Sequence, residues 1–112
     1  MDHKTAHTLI GIMGIEYADI AEELGSGVRT VAGWMRGESQ TLPFYFEEWL
    51  NARWDEFRAD LQRFQADALA SREPIVIEGS APDGMPDGEF QAMRRAKIII
   101  CETLGQSWIE GK

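Results

Sequence analysis

Arg29 and Arg36 are the only cations between Gly25 and Gly37, and no carboxylate lies in that stretch. A guanidinium can donate two parallel hydrogen bonds to O6 and N7 of a guanine, a pairing worth about 1–3 kcal/mol of discrimination between bases. Ser26 and Thr30, in the same stretch, carry hydroxyls suited to phosphate oxygens. Val28 offers an apolar surface that fits a thymine methyl. Together these residue types describe contact with a nucleic acid, with Arg29 as the main base reader.

Elsewhere the residues that do chemistry are poorly spaced for it. His3 and His7 are four apart and can share a helix face, as metal ligands do, but no Cys, Asp or Glu at ligand spacing joins them apart from Asp2. Cys101 lies in an apolar run far from either histidine, which reads as a small buried hydrophobe rather than a nucleophile. Glu22-Glu23 and Glu47-Glu48 read as solvated helix faces. The loop GSAPDGMPDG lacks the phosphate-loop pattern and its Lys. No catalytic residue, metal ligand or cofactor is expected, and the chain reads as a non-enzyme.

The arginines need elements to position them. A first helix is expected over about residues 3–13, with Leu9, Ile10 and Met13 as its apolar stripe. A second follows, with Glu16 as its cap and Tyr17, Ile20, Ala21 and Leu24 as its core face. Gly25, just past the last periodic residue, ends it. A third helix runs from Gly27 or Val28 to Arg36 and stops at Gly37. Val31 and Trp34, six and nine residues after Gly25, pin it to Ile20 and Leu24, and Ala21 is small enough for the two helices to cross there. Two short helices joined by a Gly turn form the outline of a helix-turn-helix, which can set its second helix in a major groove.

These spacings resemble the Cro/C1-type family of phage repressors and their bacterial relatives, over residues 9 to 43. The resemblance implies base contacts from Gly27, Val28, Arg29 and Gly33. It implies phosphate contacts from Tyr17, Arg36 and Ser39, to which the hydroxyls of Ser26 and Thr30 are added. Ser26 stands where that family usually has an apolar residue, Met35 where Glu is frequent and Tyr17 where Gln is frequent. Gly27 and Gly33 carry no side chain, so side-chain reading falls to Val28 and Arg29, and DNA shape supplies part of the specificity.

Beyond the motif, Pro43 opens a long helix that continues to about Ser71 without an internal Gly or Pro. Phe46, Leu50, Trp54, Phe57, Leu61, Phe64 and Ala68 form one apolar stripe along it, and at ~1.5 Å per residue the helix outreaches a lobe of this size. Pro74 breaks it. Ile75–Ile77 then reads as a strand, residues 79–88 as a turn-rich loop, Gly88 to Leu104 as a helix, and Trp108-Ile109 as a closing strand. The expected fold class is mainly α. It comprises an N-terminal helix-turn-helix bundle (1–42), a long aromatic-rich linking helix (43–73) and a small α+β strand-loop-helix-strand dimerisation lobe (74–112).

The order strand, loop ending in Pro86-Asp87-Gly88, aromatic, then basic apolar helix is similar to the repressors associated with anti-CRISPR operons. That resemblance implies a cytoplasmic homodimer repressing its own operon, of phage or mobile-element type, through an inverted repeat in double-stranded DNA. It also implies a second role in binding RNA. Arg94, Arg95 and Lys97, with no acid from Gln91 to Cys101, are the candidates for RNA or backbone contact. Phe57, Phe64, Ile75, Ile77, Ile100 and Trp108 are the expected dimer interface, because a lone short strand is unstable and large exposed apolar patches mark interfaces.

Composition pulls the other way. The net charge of -8 disfavours phosphate binding taken alone, and it suits an antitoxin-like protein-interaction module as the alternative. One cysteine precludes an intrachain disulfide, as in a reducing cytoplasm. The first residues lack a signal-peptide core, and no apolar run suits a membrane span.

Overall fold

Asp2 starts the first helix: its carboxylate accepts a hydrogen bond from the Thr5 amide at 2.7 Å, and α1 runs over His3–Met13. Gly14, left-handed, ends it. The computed structural model describes residues 1–39 and 41–112. Next come α2 (Tyr17–Leu24), α3 (Val28–Arg36), α4 (Phe44–Ala70), strand β1 (Ile75–Ile77), α5 (Asp87–Leu104) and strand β2 (Trp108–Glu110). The chain is thus mainly helical with a small two-stranded sheet. It divides into two units, Met1–Asp55 and Glu56–Lys112, with the boundary inside α4.

In the first unit, α1, α2 and α3 pack together with residues 44–55 of α4. Ala6, Ile10, Met13, Ile15, Ile20, Ala21, Val31, Trp34, Met35, Leu42, Phe46 and Leu50 are its buried apolar residues. The Trp34 and Phe46 rings lie 5.0 Å apart, so the start of α4 is fastened to α3. Three sequence expectations shift. Ala6 takes the place in the α1 stripe given to Leu9, which is half-buried. Tyr17 and Leu24 are half-buried too. Glu16 stands at the N-cap position of α2 in extended conformation, but its carboxylate makes no capping bond. Its backbone carbonyl accepts instead, from the Asp19 and Ile20 amides. A Glu side chain is one carbon too long for the short reach that Asp or Ser makes at this position.

Pro43 lies just outside α4 rather than in its first turn, and its carbonyl accepts from the Phe46 and Glu47 amides. The stripe along α4 is buried at its ends, at Phe46, Leu50 and Ala68, while Trp54, Phe57, Leu61 and Phe64 between them are half-buried.

In the second unit, β1, α5 and β2 form one strand-helix-strand crossover. The helix returns the chain to the end where β1 began, so β1 and β2 pair in parallel. Ile75 faces Trp108, Val76 faces Ile109 and Ile77 faces Glu110 across the ladder. Side chains alternate along a strand. Ile77 is accordingly 1% exposed, whereas Val76 is 59% and Ile109 53% exposed. Phe90, Ala92 and Cys101 on α5 and Ala68 on α4 complete the unit's buried residues. No helix among the described residues is long and apolar enough to cross a membrane.

Candidate nucleic-acid interface

Gly25 makes the turn that sets α3 against α2. It sits at φ 68°, and its amide donates to the Ala21 carbonyl. A Cβ at Gly25 would meet nothing within 4 Å. The glycine is therefore needed for its backbone angle, which L side chains rarely adopt, and not for space. Gly27 occupies the N-cap of α3 in extended conformation. Val31 and Trp34 are buried, which turns the opposite face of α3 outward.

Val28, Arg29 and Thr30, the first turn of α3, are all exposed. Val28 is half exposed. Arg29 has no ion-pair partner among the described residues. A free guanidinium, a β-branched methyl pair and a hydroxyl are thus presented together on one helical turn. Unsatisfied amides at that N-terminus add positive potential.

The second half of α3 differs from the expectation. Gly33 is buried, and a Cβ there would lie 2.8 Å from Glu38 Oε2. Gly33 therefore does not belong to the exposed reading face; the absent side chain makes room for a carboxylate. The Glu38 amide also donates to the Gly33 carbonyl at 3.1 Å, folding the segment after α3 back on the helix. Arg36 Nε donates to Glu38 Oε1 at 2.9 Å. The acid-free stretch in the sequence ends one residue before Glu38, and folding brings that acid onto the arginine. Arg36 is exposed but charge-compensated, Arg29 is not, and Ser39 is exposed.

Ser26 Oγ lies 3.5 Å from the hydroxyl of Tyr45, the second residue of α4. Tyr45 also meets Trp34 edge-on at 6.0 Å. Beside it Phe44 is 74% exposed. The structure thus adds Tyr45 to the hydroxyls beside the turn. Tyr45 and Ser26 are nineteen residues apart, so no local spacing could have paired them. Tyr17 is half-buried at the start of α2.

No family model, curated protein or solved structure matches this chain.

The basic run on α5 does not form one patch. Arg94 donates from Nε to the Glu78 carbonyl at 3.3 Å, and its other guanidinium nitrogen pairs with the Glu110 carboxylate, tying β1 to the end of β2. Lys97 Nζ lies 5.4 Å from the Phe64 ring centroid, within cation–π range. Arg95 alone of the three is exposed. Of the residues expected at a dimer interface, Ile77 is consumed by its own unit's core. Phe57, Phe64, Ile75, Ile100 and Trp108 are half-buried. The Trp108 indole donates to Glu102 at 2.8 Å. Among the described residues no group of three or more His, Cys, Asp or Glu gathers as a metal site. The His3 imidazole packs on Gly37, where a Cβ would lie 2.6 Å from the ring.

Proposed function

We propose that this protein is a homodimeric, sequence-specific DNA-binding repressor acting on an inverted repeat. The observation that carries the reading is the first turn of α3, where Val28, Arg29 and Thr30 stand exposed at a helix N-terminus and Arg29 has no ion-pair partner among the described residues. Groove-reading helices contact base edges with their N-terminal residues. Arg29 donates to guanine, Val28 meets a thymine methyl, and Ser26, Thr30 and Tyr45 serve phosphates. One such helix on a chain of net charge -8 binds weakly. A dimer doubles the contacts and sets two half-sites about 34 Å apart.

The exposed Val76–Ile109 pair supports dimerisation through the second unit. Parallel sheets are normally covered on both faces, and this face of the β1–β2 pair is not. Autoregulation of the protein's own operon belongs to this reading through the family resemblance alone.

The test is selection of duplexes from a random library by the full chain, followed by gel shift. An inverted repeat containing guanine in each half-site is expected. Arg29→Ala should lower affinity for it at least tenfold, while the helical content of the variant stays unchanged. Recovery of no consensus, or equal affinity in Arg29→Ala, would remove the proposal and leave the interaction-module alternative, for which exposed Phe44 is the anchor.

A further inference from the structure

β1 is bonded to β2 along one side and bare along the other. The Ile75 amide donates to the Ser107 carbonyl at 2.9 Å, and the Ile77 carbonyl accepts from the Gly111 amide at 2.7 Å. Neighbouring residues of a strand turn their N–H and C=O to opposite sides, so those of Val76 point away from β2. The chain stays beside β2 as far as Gly79, where a Cβ would lie 2.6 Å from the Gly111 carbonyl oxygen. The alternation therefore carries Pro74, Val76 and Glu78 onto the outer edge, and all three are exposed. Among the described residues, no hydrogen bond reaches the Val76 N–H or C=O, the Pro74 C=O or the Glu78 N–H. Of the groups on this edge, the Glu78 C=O alone is engaged, by Arg94 Nε at 3.3 Å.

Such an edge is a template for another strand, and this one is complementary to itself. Set antiparallel to a second copy about a two-fold axis at Val76, each Val76 N–H donates to the other's C=O. Each Glu78 N–H then donates to the Pro74 C=O of the other copy. The same register would ask a Pro74 N–H to meet the Glu78 C=O. Proline has no N–H, and that carbonyl is already held by Arg94. The one donor the edge lacks thus falls opposite the one acceptor it has engaged.

The side chains agree with the main chain. Residues 75 to 77 are all aliphatic, so no charge guards this edge, whereas β2 ends in Glu110. Val76, 59% exposed in its own unit, meets Val76 of the second copy as a β-branched cross-strand pair. Ile109 of each copy extends the pair into one apolar row across a sheet ordered β2–β1–β1–β2. A two-stranded sheet is marginal alone, and added strands stabilise it.

We infer that β1 pairs edge to edge with β1 of a second copy, antiparallel and centred on Val76, so that two chains share one four-stranded sheet. The inference rests on the homodimer proposed above and specifies the surface that forms it.

Two variants test it, Val76→Cys and Ile109→Cys, each with the buried Cys101 replaced by Ala. Edge pairing brings the two Val76 Cα atoms to about 5.5 Å, inside disulfide range. It holds the two Ile109 residues ~14 Å apart, three strand spacings of about 4.8 Å. Mild oxidation is applied at a concentration where light scattering finds the wild type dimeric. Val76→Cys should then give a cross-linked dimer, and Ile109→Cys should not. In the wild type, the Val76 and Glu78 amides should exchange with deuterium at least tenfold more slowly in the dimer than after dilution to monomer. Cross-linking through Ile109→Cys would put β2 at the seam. Cross-linking of neither variant would mean that the open faces stack, about 10 Å apart. Either result overturns the inference, as does equal exchange of the two amides in dimer and monomer. A chain that is dimeric and binds its selected duplex, yet cross-links only through Ile109→Cys, would overturn the inference and leave the proposed function standing. A chain that stays monomeric would overturn both.

Discussion

Glu38 is the residue that most changes the reading of the candidate interface. Its carboxylate fills the space above Gly33 and compensates Arg36. An exposed pair of this kind adds little stability, so under the proposed function its effect would fall on DNA binding. Glu38→Gln should leave the melting temperature nearly unchanged, tighten operator binding and steepen the dependence of log affinity on log salt by about one per recognition helix. An unaltered salt slope would mean that Arg36 does not reach phosphate. Cys101 provides a second test. It is fully buried, and burial, with Glu102 adding a smaller effect, pushes its thiol pKa up. It should resist a thiol reagent at neutral pH until the protein unfolds; labelling of the native chain at the free-thiol rate would contradict this. Asp2 carries a pH dependence. The Thr5 hydrogen bonds hold its carboxyl below the ordinary 3.8. A carboxyl lowered on folding contributes stability that is fully present above 3.8 and lost as pH falls through the folded value. The native melting temperature should therefore drop below about pH 4 more than that of Asp2→Asn, which caps the helix without titrating.

Among the elements, the α2–α3 turn and the β1–β2 ladder fail in different ways when altered. Gly25→Ala meets no neighbour, so it should cost about 1–2 kcal/mol through its left-handed backbone alone. Gly25→Asn should recover part of that loss, because Asn tolerates the conformation; urea unfolding of the two variants measures the difference. On the ladder, Ile77→Ala empties a buried site and should cost about 2–5 kcal/mol. Val76→Lys and Ile109→Lys lie on the exposed face and should keep the fold, yet convert the proposed dimer to a monomer in light scattering. A dimer retained by the double variant would place the self-association surface elsewhere. The element boundaries were largely legible in the sequence. Gly14, Gly25, Gly37 and Gly105 each end a helix in left-handed conformation, and Pro74 precedes β1. Which side of β1 faces inward was not legible. Ile75, Val76 and Ile77 are all apolar, so the pattern carries no alternation, and only packing against α5 selects Ile77.

For the whole molecule, the acidic balance of -8 sets the terms on which DNA could be bound. Few phosphates can be neutralised, so most of the affinity must come from pairing two recognition helices. A forced monomer, by the Val76 and Ile109 substitutions, should therefore lose operator binding far more than twofold. Retention of full affinity by a monomer would contradict the dimeric reading.

The sequence by itself determined the helices, their stops, the buried Ile10, Met13, Ile20, Ala21, Val31 and Trp34 of the first unit, and the acid-free stretch around Arg29. Those properties follow from local backbone preference and from periodic burial, which neighbouring residues are enough to specify. Only the tertiary structure decided that Glu38 compensates Arg36, that Arg94 is held by Glu110, that Tyr45 stands beside Ser26 and that β1 and β2 run parallel. Each of these depends on where the chain returns after a turn or a crossover. Charge pairing and burial are set by distance in space, which spacing along the chain does not encode.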